Sequence, residues 1–197
     1  MKIASIVLRE FKGEAVGDVF GVDSGAWFCL ANNIKMKAAC GDFDSINIEQ
    51  KQAVFSLDIP IYELNREKDY TDFEYCLSLC ADYDEIYVFG SLGGRRDHEY
   101  LNLEFAKRDS RIILIDELNR IRKVESGQYT IKKDGYKYLS FIVLENSMIS
   151  IEDVRYPLIQ REVDVKDTYL SSNEILFDEA KLEVHYGSFL MIQSNDA

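Results

Sequence analysis

Residues 38–45, Ala38-Ala39-Cys40-Gly41-Asp42-Phe43-Asp44-Ser45, join a short uncharged run to two aspartates two positions apart. The first three residues predict a short strand, after which Gly41 permits close approach of the backbone. Side chains two apart on an extended chain face the same way, so we expect Asp42 and Asp44 to aim both carboxylates at one point. Ligands of α/β sheets bind beyond the carboxyl ends of the strands. This stretch therefore predicts an α/β sheet with a functional site at the end of the strand.

The chain on either side of this stretch alternates β-rich runs with helix-length segments, which favours an α/β sheet over a helix bundle. Strands are predicted at 3–8, 19–22, 38–40, 85–89 and 111–115, with a short additional strand at 61–62. Helices are predicted at 26–32, 48–57, 73–81 and 100–108. We therefore expect residues 1–119 to form a Rossmann-like, three-layer α/β domain.

The sequence pattern changes after residue 119, where short β-rich runs follow one another and no segment has helix length. These runs lie at 128–131, 138–143, 148–151, 158–163, 175–177, 182–185 and 189–192. Turn-like stretches separate several of them, among them Lys133-Asp134-Gly135 and Tyr186-Gly187-Ser188. We therefore expect residues 120–197 to form an antiparallel β-sandwich or barrel.

The composition narrows the classes of partner. The 197 residues carry 23 lysines and arginines against 35 aspartates and glutamates, a formal net charge of −12. This charge argues against a nucleic-acid backbone or an anionic membrane as the partner. The sequence has no apolar run of membrane-spanning length and no signal-like N-terminus, so we expect a cytoplasmic protein with reduced cysteines.

The paired carboxylates of Asp42 and Asp44 suit a hard cation such as Mg²⁺, which prefers oxygen ligands. An equally good interpretation of these two residues alone is a turn rich in aspartate that caps the helix starting near Asn47, because the DxD pattern is common.

A second acidic cluster, Glu67-Lys68-Asp69-Tyr70-Thr71-Asp72-Phe73-Glu74, precedes a predicted helix. Thr71 and Glu74 fit a capping box. The box does not account for Lys68 beside Asp69. A cation next to carboxylates at a helix N-terminus is what a metal-bound polyphosphate requires.

The third cluster is Phe89-Gly90-Ser91-Leu92-Gly93-Gly94-Arg95-Arg96-Asp97-His98, with Asn102 four residues further on. Glycines after a strand let backbone amides reach a ligand, and Arg95 or Arg96 can hold phosphate oxygens. An ordinary turn with Asp97 as helix cap is the alternative. Asp23, directly after the predicted strand 19–22, is a fourth and weaker candidate.

Other chemistries lack their motifs. His98 and His185 lie far apart without partner cysteines, which argues against a zinc site. Neither a GxSxG elbow nor a GxxxxGK[ST] loop is present, as a serine hydrolase or a P-loop kinase would require.

Taken together, four motifs resemble the signature of the thiamine pyrophosphokinase family. They are Asp-x-Gly-Ala at 23–26, Gly-Asp-Phe-Asp-Ser at 41–45, Lys-Asp-x-Thr-Asp-x-Glu at 68–74 and Gly-Gly-Arg-x-Asp-His-x-x-x-Asn at 93–102. The stretch Tyr169-Leu170-Ser171-Ser172-Asn173-Glu174 is similar to the family's Ser-Asn stretch. The resemblance covers essentially the whole chain. It implies a nucleotide-binding α/β domain, a β-sandwich domain and a homodimer with the thiamine site between subunits.

The resemblance also implies a reaction: Mg²⁺-dependent transfer of a pyrophosphoryl group from ATP to the hydroxyethyl oxygen of thiamine, with release of AMP. The implied catalytic residues are Asp42, Asp44, Asp69, Asp72 and Asp97, of which the first four are metal ligands. The implied ATP- and phosphate-binding residues are Asp23, Lys68, Thr71, Arg95 and Asn102, and the implied thiamine-binding residues are Ser172 and Asn173. The general base stays unassigned between Asp97 and Asp72.

Two functions remain as alternatives: a carboxylate- and Mg²⁺-dependent phosphohydrolase, and a non-catalytic sensor of thiamine or nucleotide. The chain also departs from the family pattern after the first strand. Where the family usually has a glycine-rich loop, this chain has Leu8-Arg9-Glu10-Phe11-Lys12-Gly13.

Overall fold

The structure is a computed structural model that describes residues 1–197. The first part of the chain contains β1 (Ile3–Val7), β2 (Asp18–Val22), α1 (Ser24–Ala31), β3 (Ala38–Gly41), α2 (Ile48–Phe55), β4 (Ile61–Glu63), α3 (Asp72–Leu79), β5 (Glu85–Phe89), α4 (Arg96–Arg108) and β6 (Ile112–Ile115). The rest contains β7 (Asn119–Lys132), β8 (Tyr138–Val143), β9 (Ser147–Glu152), β10 (Leu158–Val163) and β11 (Glu179–Ser194). None of the four helices is both long and apolar enough to cross a bilayer.

The chain divides into two compact units. The first comprises Met1–Glu99 with Ile115–Glu117, and the second comprises Tyr100–Leu114 with Leu118–Ala197. Most of α4 and β6 therefore belong to the second compact unit. The domain boundary between residues 119 and 120 stays a prediction.

The first unit contains a parallel sheet in the order β5-β1-β2-β3-β4. In this sheet Val7 pairs with both Gly21 and Phe89, and Val22 pairs with Cys40, so the strands end at one edge. The strands are mostly buried and apolar, as expected when helices cover both faces of a parallel sheet. The predicted α/β class is confirmed, and all five predicted strands of this part are present.

Helix α4 begins at Arg96, four residues before the predicted start at residue 100. Asp97 therefore lies inside the first turn and is not the helix cap. Acidic Asp97 and Glu99 stand in this turn, while Lys107 and Arg108 stand in the last turn. That distribution complements the helix dipole and stabilises a helix whose start carries no apolar repeat.

The second unit is organised around its longest strands, β7 and β11, which pair antiparallel. On its other edge β11 pairs with β9 through its first half and with β8 through its second half. The register shifts between Val184 and Ser188, where Gly187 has φ 82°. The buried side chains, which include Leu139, Ile149, Leu182 and Phe189, form one hydrophobic cluster. This arrangement confirms the predicted antiparallel β-sandwich.

Four predicted strands differ from those observed. The runs 182–185 and 189–192 belong to one continuous strand, β11, which also contains the predicted turn between them. The run 128–131 is only the end of β7, which begins at Asn119. The run 175–177 forms no strand, and Ile175 makes only an isolated bridge to Val154.

Candidate functional site

The predicted site residues of the first unit follow the ends of neighbouring parallel strands. Asp23 comes directly after β2, Asp42 directly after β3, and Gly90 directly after β5. Asp72 is the first residue of α3. The sheet order places β2 beside β3, which brings Asp23 to the turn after β3.

Asp23 is fixed against this turn by two hydrogen bonds. Its backbone amide donates to the carbonyl of Cys40 (3.1 Å), and its Oδ1 accepts from the amide of Phe43 (3.0 Å). Gly41, with φ 141°, leaves the space that the carboxylate occupies: a Cβ at this position would overlap Asp23 Oδ1 and lie 2.7 Å from Cγ. The glycine is thus required for Asp23 to reach the end of β3.

The surroundings of Asp23 raise the pKa of its carboxyl to about 7, chiefly through burial. The negative charge of Asp72 raises the pKa further, and the Phe43 amide opposes the rise. Asp42 and Asp44 also contribute to the increase. Asp23 therefore lies within the electrostatic reach of the other carboxylates, in a site with excess negative charge.

This pKa predicts a pH dependence of stability in the metal-free protein. Between 3.8, the ordinary pKa of an aspartate, and about 7 the folded state holds a proton on Asp23 that the unfolded state has lost. The contribution of this group to the free energy of unfolding therefore falls as pH rises. Asp23→Asn keeps the acceptor for the Phe43 amide and cannot titrate. Urea unfolding of both proteins in EDTA from pH 4 to pH 8 should show the variant gaining stability relative to the unaltered protein, by a total of about 2–4 kcal/mol. Parallel profiles would contradict the prediction.

The prediction that Asp42 and Asp44 face the same way on an extended chain is wrong. Strand β3 ends at Gly41, and Phe43 has φ 56° with its side chain only 2% exposed. Asp42 Oδ1 accepts a hydrogen bond from the amide of Asp44 (3.1 Å). The chain therefore makes a turn closed by Asp42, with Phe43 buried. The cap of α2 is Asn47, whose side chain forms a capping box with Gln50.

Lys68 and Asp72 form an ion pair at the start of α3. Lys68 Nζ lies 3.2 Å from Asp72 Oδ1 and donates to the carbonyl of Asn65 (2.8 Å). Their side chains are 9% and 19% exposed. Although the ion pair is close, Asp72 Oδ1 is buried and accepts no hydrogen bond of acceptable geometry. Thr71 caps the helix by accepting from the Glu74 amide (3.1 Å), which is one of the two hydrogen bonds of the predicted capping box.

The structure does not bring the four predicted metal ligands into a preformed site. No three acidic, histidine or cysteine side chains form a group that could hold a metal ion. Asp69 is exposed in the loop before α3, and Asp44 lies 3.5 Å from a guanidinium nitrogen of Arg66. Like charges repel, so nearby cations and amides partner the carboxylates instead. The assignment of Asp42, Asp44, Asp69 and Asp72 as ligands stays a prediction.

Two features of the same residues nevertheless fit an oxygen-coordinated cation. Asp72 has a buried carboxylate oxygen without a hydrogen bond, and Asp23 has a pKa raised partly by its acidic neighbours. A divalent cation would give the Asp72 oxygen a partner and would offset the negative charge around Asp23. Carboxylate oxygens are the donors that Mg²⁺ prefers.

Arg95 and Asp97 form a bidentate pair near the start of α4. Arg95 Nε and Nη2 donate to the two Asp97 oxygens at 3.1 and 2.5 Å. The hydrogen bonds from Arg95 lower the pKa of Asp97 to about 2, which makes this carboxylate a weak proton acceptor. Both side chains are exposed, so Arg95 can exchange this partner for a ligand. Asn102 is buried on the same helix and groups with the second unit.

Three basic residues near these strand ends were missed by the sequence analysis. Lys51 and Arg66 line a cavity of about 550 Å³ together with Asp42, Asp44 and Glu63. Lys51 Nζ lies 2.6 Å from Glu63 Oε1. Arg9, directly beyond β1, donates to three carbonyls of the loop after β5. The sequence does not mark these residues as part of a site, because the groups that they contact are distant in sequence or are backbone atoms.

In the second unit, Asn173 is buried and fastens its segment to a neighbouring one. Its Oδ1 accepts from the amides of Tyr156 (3.0 Å) and Glu174 (2.9 Å), and its Nδ2 donates to the carbonyl of Tyr156 (2.9 Å). Ser172 is exposed with φ 59°, and its amide donates to Ser140 Oγ (2.9 Å). Asn173 lines a cavity of about 320 Å³ whose other walls are Phe141, Ile151, Tyr156, Leu158, Tyr169, Leu170 and Ser171. The walls are mainly apolar and aromatic, which suits a flat heterocycle.

Two family models match the chain: the thiamin pyrophosphokinase catalytic domain over residues 17–114 and the thiamin pyrophosphokinase vitamin B1 binding domain over residues 128–189. The chain belongs to the thiamine pyrophosphokinase family. The thiamine pyrophosphokinase of Bacillus subtilis is 31% identical over 185 residues, which cover 89% of this chain and 86% of the relative.

Solved structures of thiamine pyrophosphokinases agree with this membership. The crystal structure of the Bacillus subtilis protein superimposes with a TM-score of 0.89 at 27% identity and covers 100% of both chains. The thiamin pyrophosphokinase of Geobacillus thermodenitrificans gives a TM-score of 0.86 at 26% identity, with 100% of this chain and 99% of that one covered. The predicted family and its class, an enzyme that transfers a diphosphate group, are confirmed. Neither the phosphohydrolase nor the sensor is favoured.

Proposed function

We propose that the protein transfers the pyrophosphoryl group of ATP to the hydroxyethyl oxygen of thiamine and releases AMP, in a reaction that requires Mg²⁺. The observation that carries this proposal is the excess of negative charge around Asp23, whose pKa the charges of Asp42, Asp44 and Asp72 raise, with Lys68 paired to Asp72. Carboxylates with an adjacent cation suit a metal-complexed polyphosphate.

The reaction moves one group between two oxygens. The thiamine hydroxyl oxygen forms a bond to the β-phosphorus of ATP, and the bond from that phosphorus to the oxygen bridging to the α-phosphorus breaks. AMP leaves with that oxygen, and the hydroxyl proton passes to solvent or to a base. Such transfer depends mainly on positioning and on neutralising charge.

Each charged residue has a place in this proposal. Asp42, Asp44, Asp69 and Asp72 would hold Mg²⁺, which would neutralise the charge on the phosphate oxygens. Lys68 and Arg95 hold phosphate oxygens, and Thr71 sets the start of α3. Asp97 and Asn102 organise the nucleotide side of α4.

The cavity beside Asp42 and Asp44 is a suitable place for the nucleotide. Its volume is about 550 Å³, and its walls include the apolar side chains of Ile46, Ile48 and Leu64 as well as basic Lys51 and Arg66. A nucleoside needs both apolar contact and polar groups at its edge.

An assay of the reaction products tests the proposed function. Purified protein is incubated with ATP, MgCl₂ and thiamine, and the nucleotides and thiamine species are separated by chromatography. Equal amounts of AMP and thiamine diphosphate, absent without thiamine and absent with EDTA, are the expected result. Release of ADP or phosphate without thiamine would indicate the phosphohydrolase, and thiamine binding without turnover would indicate the sensor.

In the second unit we propose that Ser172 and Asn173 contact thiamine and that the cavity lined by Asn173 receives part of it. Asn173→Ala removes three hydrogen bonds to backbone groups, so the melting temperature should fall by an amount equivalent to about 1–3 kcal/mol. The KM for thiamine should rise and the KM for ATP should change little. Ser171→Ala, at the same cavity, is the control for general disturbance. A fall in stability with an unchanged thiamine KM would leave Asn173 purely structural.

We also propose that the protein is a cytoplasmic homodimer. The second unit exposes several large apolar side chains, among them Ile142, Ile159, Leu176 and Phe177, which are 47–83% exposed in the single chain. Sedimentation equilibrium should give twice the chain mass, and a monomer at assay concentration would contradict the dimer.

A further inference from the structure

Arg9 lies against the loop that follows β5, here called the glycine loop (residues 90–94). Its Nε donates to the carbonyl of Gly90 (2.7 Å). Its Nη2 donates to the carbonyl of Gly93 (2.7 Å) and also to that of Leu92. One guanidinium thus binds three carbonyls of a five-residue loop that is more than 80 residues away in sequence.

The glycine loop is shaped around this side chain. A Cβ at Gly90 would lie 2.6 Å from Arg9 Cγ, and a Cβ at Gly94 would overlap Nη1 and lie 3.1 Å from Cζ. Gly90, Gly93 and Gly94 all have positive φ, from 70° to 75°. Only residues without a Cβ adopt both the conformation and the close approach at little cost.

The contacts with Arg9 decide which way the loop's amides point. In a planar trans peptide the carbonyl and the following N–H point in opposite directions. Arg9 holds the Gly93 carbonyl, so the Gly94 N–H points away from the guanidinium. The Gly93 N–H is already engaged, since it donates to Glu99 Oε1 (3.0 Å). The Gly94 N–H, next in chain to Arg95, therefore points away from Arg9, and Gly94 is exposed, so this amide is accessible to an anion.

We propose that Arg9 is a positioning residue for phosphate binding: it holds the glycine loop so that the Gly94 amide and the Arg95 side chain face the nucleotide's phosphates. The inference rests on the proposed ATP-dependent function and adds to it a residue outside the four motifs. Arg9 stands in the segment where the chain departs from the family's glycine-rich loop, and it supplies from that segment a side-chain support for the loop after β5.

The test measures the KM for each substrate separately. Arg9→Ala should raise the KM for ATP about tenfold, because the lost hydrogen bonds order one charged contact with the phosphates. The KM for thiamine should change by less than about twofold. Arg9→Lys keeps the charge without the planar fork, so its KM for ATP should be intermediate. Added guanidinium ion should partly restore the ATP KM of Arg9→Ala. Lys12→Ala, which removes an exposed cation of the same segment that pairs with Glu117 (3.0 Å), should leave both constants unchanged.

An unchanged ATP KM in Arg9→Ala, or an equal rise for both substrates, would overturn the proposal. If Arg9→Ala does not fold, folded Arg9→Lys with an unaltered ATP KM would overturn it as well. Lack of turnover in the unaltered protein would count against the proposed function alone. Calorimetric binding of ATP with MgCl₂ to the unaltered and Arg9→Lys proteins still reports on Arg9 in that case, because weaker binding by the variant supports the proposal and equal binding refutes it.

Discussion

Asp42→Asn should lower the rate of thiamine diphosphate formation by about 10³-fold while thiamine binding stays largely intact. The substitution keeps the size of the side chain and removes one negative charge and one metal-binding oxygen. A metal ion contributes several kcal/mol to phosphoryl transfer, and each 1.36 kcal/mol is a factor of ten in rate. The rate is measured by chromatography of the products, and thiamine binding by calorimetry.

The control for Asp42→Asn is Asp58→Asn, which removes one exposed carboxylate from the segment between α2 and β4. This change alters the net charge by the same amount and should leave kcat and both KM values unchanged. Raising the MgCl₂ concentration should recover part of the activity of Asp42→Asn if the lost oxygen is a ligand. Full activity of Asp42→Asn would show that its carboxylate does not take part in catalysis.

Gly41→Ala should lower both stability and activity. The residue has φ 141°, and the new Cβ would overlap the Asp23 carboxylate. Backbone strain of this kind costs about 1–3 kcal/mol, and displacing Asp23 also breaks its hydrogen bond with the Phe43 amide. Urea unfolding should show a loss of about 2–4 kcal/mol. The kcat should fall because the turn that carries Asp42 has lost its anchor.

The matched variant for Gly41→Ala is Gly135→Ala. Gly135 also has positive φ, at 82°, but a Cβ there would meet nothing within 4 Å. Gly135→Ala should therefore lose only the stability that backbone strain costs, and its activity should stay unchanged. Equal losses of stability in the two variants would mean that the contact with Asp23 contributes nothing.

The order and type of the first unit's strands could be predicted because short apolar runs alternate with helix-length segments. The start of α4 could not, since Arg95-Arg96-Asp97-His98 has no apolar repeat and the helix there depends on charge placement. The first half of β7 was also missed. Its buried residues Ile121 and Val124 are three positions apart, which breaks the alternation that identifies a strand.

The local contacts at the start of α3 could be predicted from the sequence, because the Thr71 cap and the charges of Lys68 and Asp72 belong to one short segment. The functional roles of these residues stay predictions. The bond from Phe43 to Asp23 and the contacts of Arg9 join segments far apart in the chain. Arg9 binds carbonyls, which every residue possesses, so no side-chain pattern marks its partners. The turn at Phe43 likewise replaced the extended geometry that the spacing of Asp42 and Asp44 had suggested.

The pairing of β11 has a consequence for how the second unit opens. This strand pairs with β7 along both of its halves, with β9 through the first and with β8 through the second. Detaching either half removes hydrogen bonds on two edges and exposes part of the same hydrophobic cluster. Local fluctuations therefore give little access to the paired amides on either side of the register shift, which are expected to exchange with deuterium only when the sandwich unfolds as one cooperative body.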